Sequence, residues 1–247
     1  MIDDSIIELQ NEFIKIKHKG WIKGVESGTG SVGDTFENML GLKKNNFDIP
    51  DFKGIEIKTN RKAKDCYITL FSSSCDGNKK YILYKIKEQF GWYDRKFTGT
   101  KILRVKLSAN KPTYLRNGIS MILNVNYTEQ RLYLEVYKYK KLVSNEAWWS
   151  FELLKNKLHK KLQYLAFIET DNSFANGNEY FKYKNICFYR NKGFDCFLNL
   201  LLQGIIILEI KFGIHRSGIN IGKTYDHGSS FEIMRDDINK LFELLVY

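Results

Sequence analysis

The 247-residue chain is predicted to adopt an α/β fold, a mixed central sheet flanked by helices. Three observations carry that expectation. Apolar residues recur at helical spacing near the start and at several later places. Short β-branched runs with period-two alternation fall between them. Only Pro50 and Pro112 interrupt the whole length.

Taken in order, "DDSIIELQNEFIKIKHKG" sets Ile6, Leu9, Phe13 and Ile16 on one helical face, with Asp3, Asp4 or Ser5 as cap and Gly20 past the end. The glycine-rich "ESGTGSVG" reads as a loop, and "DTFENMLGL" as a second helix capped by Asp34 or Thr35. "GIEIKT" and "CYITLF" read as strands, and "YILYKIKEQFG" as a helix. "KILRVKLS", "ISMILNVN" and "RLYLEVYKY" are expected to form an antiparallel meander. A helix over "AWWSFELLKNKLHKK" leads into the strand "LQYLAFIE". The last third reads as the strand "EYFKYKNICFY", the helix "FDCFLNLLLQ", and the strands "IIILEIKFGIH" and "SSFEIM" around a loop. A helix over "DDINKLFELLVY" is expected to close the chain. No internal repeat or low-complexity run occurs.

Composition narrows the function. An apolar share of 43% supplies a core, and 39 Lys+Arg against 28 Asp+Glu leave a net charge of +11. Nucleic acid is the partner this charge favours, because neither a lipidation signal nor a basic amphipathic helix speaks for a membrane. The acidic start "MIDDSIIELQ" is unlike a secretory leader, and "FLNLLLQGIIIL" is well short of the roughly 20 residues a span requires. A soluble, cytoplasmic protein is expected. Cys66, Cys75, Cys187 and Cys196 lack the tight spacing of zinc ligands and are expected to be reduced thiols.

Chemistry concentrates in "FDIPDFKGIEIKTNR". On a strand, alternation puts Glu56 and Lys58 on one face and Ile55 and Ile57 on the other. A turn after Pro50 can return Asp51 alongside that strand. Two carboxylates brought close repel unless a cation lies between them, and open sites of hard oxygen ligands suit magnesium. A lysine beside such an ion can orient the attacking water and steady charge on a phosphate. The pattern fits metal-assisted phosphodiester hydrolysis. A solvated strand face is the plainer alternative.

Four blocks add to the triplet. "GTGSVGDTFENML", "IPDFKGIEIKT", "LHKKLQYLAFIE" and "GKTYDHGSSFEI" resemble, in this order, the MvaI/BcnI family of type II restriction endonucleases, relatives of the nicking enzyme MutH. The resemblance implies a restriction-endonuclease-like PD-(D/E)xK core in a MutH-like two-lobed architecture. Residues 1–170 would be mainly the catalytic lobe and 171–247 mainly the DNA-recognition lobe. It implies Asp51 and Glu56 as ligands of Mg2+, and Lys58 as the catalytic lysine. Glu37 would be an auxiliary carboxylate, or else a surface glutamate favoured by its helix N-terminus. Lys161 would lie near the scissile phosphate, with the adjacent Lys160 as its rival for that place and as a DNA contact.

The resemblance also makes residues 211–232 the base-reading region. Lys211, His215, Arg216, Lys223, Tyr225, Asp226 and His227 are its candidates, since Arg and Lys donate to guanine and Asp accepts from cytosine. Tyr225 and Glu232 depart from the family pattern, which has histidine and arginine there. The expected activity is Mg2+-dependent, sequence-specific cleavage of double-stranded DNA by a monomer, leaving 5′-phosphate and 3′-hydroxyl ends. The target expected is of the CC-x-GG kind, cut by sequential nicks, with a cognate DNA methyltransferase in the same system. A MutH-like repair nickase and a catalytically idle DNA-binding module are the alternatives.

Overall fold

The computed structural model describes residues 2–28, 30–42, 49–61, 66–76 and 79–245. Helix α1 (Ile2–His18) buries Ile6, Leu9, Phe13 and Ile16, the face its spacing predicts. Asp3 and Asp4 in its first turn and Lys15, Lys17 and His18 in its last complement the helix dipole. After the short strand β1 (Ile22–Lys23), helix α2 (Ser31–Met39) begins earlier than expected, within the glycine-rich segment. Its N-cap is Gly30, which makes no side-chain cap bond. Asp34 and Thr35 lie inside the helix, where the Thr35 hydroxyl donates to the Ser31 carbonyl at 2.6 Å. Strands β2 (Ile55–Arg61) and β3 (Tyr67–Ser72) then follow, as their alternation predicts.

Next come helix α3 (Lys79–Phe90) and strands β4 (Trp92–Tyr93), β5 (Lys101–Leu107), β6 (Thr113–Tyr114), β7 (Ile119–Asn126), β8 (Arg131–Lys138) and β9 (Lys141–Ser150). The expected meander is displaced by one strand. It runs β7-β8-β9, while β5 leaves to pair with a later strand. The residues "AWWS" belong to β9 and not to a helix. Ala147 and Trp149 are buried in alternation and sit across from Leu134 and Leu132. Helix α4 (Phe151–Leu162) starts where the Ser150 hydroxyl accepts from the Leu153 amide at 3.2 Å, an N-cap that fixes the boundary.

The chain continues through β10 (Tyr164–Ala175), β11 (Asn178–Asn191), α5 (Phe194–Leu202), β12 (Ile206–Ile214), β13 (Thr224–Asp226) and β14 (Ser230–Met234). The expected closing helix is cut short. A 3-10 turn (Arg235–Asp237) and one helical turn, α6 (Ile238–Leu241), give way to β15 (Phe242–Leu245). That strand completes the backbone hydrogen bonds of β11, with Phe188 across from Leu245.

The chain divides into two compact units. The first comprises residues 1–66, 157–193 and 238–247, and the second 67–156 and 194–237. A single division near residue 170 is therefore not how the chain partitions. The reason is topological: β2 and β10 are parallel neighbours, and parallel strands need a long crossover between them. Here the crossover is most of the second unit.

In the first unit the sheet runs β1-β11-β10-β2, with β15 also on β11. Helices α1 and α2 bury Phe13, Val32 and Phe36 with Ile55, Ile57, Ala166, Ile168, Phe181 and Tyr183. Tyr183 donates its hydroxyl to the Val32 carbonyl at 2.9 Å, which ties α2 to the sheet. The second unit holds a sheet ordered β3-β14-β12-β5-β4, with β13 on β12, and a four-stranded sheet β6-β7-β8-β9. Its core includes Phe71, Phe197 and Phe231 in mutual ring contact, with Trp149 edge-on to Phe231. All four cysteines are free thiols. No helix among the described residues is long and apolar enough to cross a membrane.

Candidate active site

The site of the first unit is built by a turn and one strand. Phe52 and Ile55 exchange backbone hydrogen bonds of 2.9 and 2.8 Å around Lys53 and Gly54, both with positive φ. Gly54 takes φ +90°, a conformation that side chains with a Cβ rarely adopt. This tight turn reverses the chain, so that the Asp51 carboxylate accepts from the Ile57 amide at 2.8 Å. The expected return of Asp51 alongside the strand is thus made by a backbone contact.

On β2, Ile55 and Ile57 enter the core while Glu56 and Lys58 share the opposite face. The Lys58 ammonium donates to Glu56 Oε1 at 2.5 Å, and the Lys161 ammonium lies 3.6 Å from the same oxygen. Glu56 is 1% exposed, and its second oxygen, Oε2, is buried with no hydrogen-bond partner. Burial pushes the Glu56 carboxyl up to about 7, Lys58 and Lys161 pull it down, and the charge of Asp51 adds to the rise. A buried carboxylate with an empty oxygen, beside a second carboxylate, fits a hard divalent cation.

Helix α2 lies close against β2 at Gly33, where a Cβ would come within 3.3 Å of Thr59 Oγ1. Glu37, one turn on, carries its Oε1 within 3.9 Å of the same point and is half-buried. Among the described residues no three Asp, Glu, His or Cys side chains gather into a metal cluster, so Glu37 does not complete one with Asp51 and Glu56. Of the two neighbouring lysines on α4, Lys161 turns to Glu56 and Lys160 is exposed.

The expected reading residues all lie in the second unit. Lys211 on β12 is paired with Glu232 at 2.7 Å and with Glu209 at 3.5 Å. Burial opposes the Glu232 charge, but Lys211 and the Ser230 hydroxyl donate to it and hold its carboxyl below the usual range. Glu209 is pushed up by burial and by Glu232 beside it. The rings of His215, Tyr225 and His227 form a column, with centroids 4.7 and 4.0 Å apart. Burial, with Arg104 and Lys211 nearby, lowers the pKa of His227. Asp226 accepts from the Gly228 amide at 2.8 Å and is exposed, as is Lys223. Arg216 commits both terminal nitrogens to Asp94, which is 4% exposed.

Asp94 and Lys87 were not legible in the sequence, and their partners explain why. Asp94 meets Arg216 from 122 positions away, and the buried Lys87 donates to Thr224 from 137 positions away. Neither "WYDRK" nor "YKIKE" carries a local signal of such a role.

The sequence matches the model of the MvaI/BcnI restriction endonuclease family over residues 10–242. In structure the chain is similar to restriction endonuclease MvaI in complex with its cognate DNA substrate. That match has 28% identity, covers 96% of each chain and gives a TM-score of 0.89. It is also similar to MvaI in the absence of DNA, at 25% identity over 98% of this chain and 96% of that one, with a TM-score of 0.60. Comparison with curated protein sequences gives no match.

Proposed function

The chain belongs to the MvaI/BcnI restriction endonuclease family, type II site-specific deoxyribonucleases, and from that premise we propose that it is a Mg2+-dependent enzyme cutting double-stranded DNA at a specific sequence. The observation that carries the metal reading is Glu56: buried, with one oxygen unpartnered, and influenced by Asp51 and two lysines. Asp51 and Glu56 would hold the ion. Magnesium supplies Lewis acidity to a phosphate and to water, and it binds through a few carboxylates while keeping other positions open.

The roles of the chain's own groups follow from their placement. Asp51 is oriented by the Ile57 amide, so its free oxygen has a fixed direction. Lys58 shares its ammonium with Glu56 Oε1. With Glu56 Oε2 given to an ion, the Lys58 ammonium on its other oxygen would be placed to orient water and to balance charge building on the phosphate. Lys161 approaches the same oxygen from α4 and supplies a second positive charge on that side. Glu37 is an auxiliary carboxylate of the helix packed on β2. The bond broken is between phosphorus and the 3′ oxygen, which leaves 5′-phosphate and 3′-hydroxyl ends.

Sequence reading falls to the polar face of β12 and its neighbours, where Lys211, the His215–Tyr225–His227 column, Asp226 and Lys223 gather. Arg216 supports this segment through Asp94, and exposed Lys160 contacts phosphate. The proposed target is of the CC-x-GG kind. A monomer with one site cuts the two strands by successive nicks, and a cognate methyltransferase protects host DNA. Purified protein, plasmid and Mg2+ test the reading together. Discrete fragments that vanish with chelator are expected; random degradation, or intact DNA across varied substrates at low salt, overturns it.

A further inference from the structure

Between β12 and β13 the chain makes a loop closed at its base by two backbone bonds. His215 donates to the Lys223 carbonyl and Gly222 to the His215 carbonyl, each at 3.0 Å. Two inner turns, Ile221 to Gly218 at 3.1 Å and Lys223 to Asn220 at 2.9 Å, stiffen the tip. The loop is also fastened from outside. Arg216 is bidentate on buried Asp94, the Thr100 hydroxyl donates to the Gly222 carbonyl at 3.3 Å, and Gly222 lies so near Phe97 that a Cβ would be 3.3 Å from its ring. Buried Lys87 holds Thr224 at the start of the next strand at 3.2 Å.

All this fastening presents apolar side chains to water. Ile219 is 96% exposed and Ile221 is 52% exposed. Isolated exposed hydrophobics are ordinary, and a loose loop would fold them back onto the surface. This loop is held out instead, at the entropic cost of ordering it. Its flanks carry His215, Arg216 and Lys223, and it adjoins the ring column with Tyr225 and His227. An apolar tip flanked by the exposed ammonium of Lys223 and by the polar His215 ring matches a groove of duplex DNA, where phosphates line the rims and thymine methyls are the apolar features within.

We infer that the loop 215–223 is a preformed probe that enters a groove of the bound duplex and seats Ile219 against base edges. This rests on the endonuclease reading above. The test compares wild type with Ile219→Ser and Ile219→Ala, using the full chain and two DNA fragments, one containing a mapped cleavage site and one lacking it. Dissociation constants are measured across a series of salt concentrations. For the cleavable fragment, Ile219→Ser should weaken binding about tenfold, with Ile219→Ala between, because apolar contact is lost. The salt dependence should keep its slope, since no phosphate contact is removed. Binding to the other fragment should stay within about twofold, because non-specific binding is ionic.

Equal affinities for wild type and Ile219→Ser overturn the inference, as does a loss that flattens the salt slope. A change confined to oligomeric state in sedimentation also overturns it, and assigns the tip to a second copy of the chain. If wild type itself cuts no duplex, the endonuclease reading falls and this falls with it; if wild type cuts and the variants match it, only the probe falls.

Discussion

Asp51, Glu56, Lys58 and Lys161 in one unit, and Glu209, Glu232, Lys106 and Lys211 in the other, form the same inventory of two carboxylates and two lysines. They differ in how far their hydrogen-bonding capacity is filled. Glu232 is 4% exposed and takes both Lys211 and the Ser230 hydroxyl on Oε1, at 2.7 Å each, while Lys106 stands 3.9 Å from Oε2. Glu56 is buried as deeply, yet its Oε2 meets no donor. Burying a carboxylate without satisfying it is costly. The first unit carries that cost and the second avoids it. Charge composition alone does not separate a cluster with room for a further cation from one whose carboxylates are already taken by lysines; unfilled valence does.

The hardest way to break the comparison is to disable one cluster and watch the chemistry. Asp51→Asn and Lys58→Ala are expected to lower the cleavage rate on the order of 10³-fold or more, while affinity for DNA in chelator changes little. Single-turnover cleavage and filter binding measure the two quantities separately. Retained cleavage in either variant would remove the first cluster from the chemistry. The matching change in the second cluster, Glu232→Ala, strands Lys211 beside a single carboxylate and should cost about 3 kcal/mol of stability by urea unfolding. Its cleavage rate at saturating DNA should stay near that of wild type wherever the variant is folded.

A subtler separation uses pH, because the two buried glutamates have opposite signs. The Glu56 carboxyl sits at about 7, above the ordinary 4.5, so the metal-free folded protein keeps a proton that the unfolded chain releases. Its contribution therefore turns unfavourable as pH rises from 4.5 towards 7, and stays so above. Glu232 is held below its ordinary value, so its contribution is present above about 4.5 and lost as pH falls through the lowered value. Thermal unfolding without metal should show wild-type stability declining between pH 5 and 7, with Glu56→Gln abolishing that decline. Added Mg2+ should raise the wild-type midpoint more at pH 8 than at pH 5, and should not raise that of Glu56→Gln. A metal effect independent of Glu56 would place the ion elsewhere.

Legibility in the sequence divided along the same line. The first cluster lies mostly within one short stretch, so alternation in "GIEIKT" and a turn after Pro50 were enough to bring Asp51, Glu56 and Lys58 together. Helix α1 was equally plain because its four buried positions follow one periodicity. Long-range pairing decided the rest. Trp149 carries an apolar side chain that suits helix or strand, and only its place across from Leu132 selects the strand. "FELL" could continue a helix until the edge of β11 claims it. The pairing of Arg216 was illegible because nothing nearby announces Asp94 as its partner.

The smallest expected effect tests how far the first cluster extends along α4. Successive helical residues point about 100° apart, so Lys160 and Lys161 cannot both face Glu56. Lys161 reaches within 3.6 Å of Glu56 Oε1, and Lys160 is exposed to solvent. Lys161→Met should therefore slow cleavage about tenfold at saturating DNA, through the lost charge near the reacting phosphate. Lys160→Met should leave that rate alone, weaken binding a few-fold, and reduce the slope of log affinity against log salt by about 1, as loss of one phosphate contact does. The two variants make the same change of charge one position apart, so a difference between them reports position and not net charge. Were Lys160→Met the slower enzyme, the cluster's fourth member would have to be reassigned and the 3.6 Å approach of Lys161 read as an ion pair that only steadies Glu56.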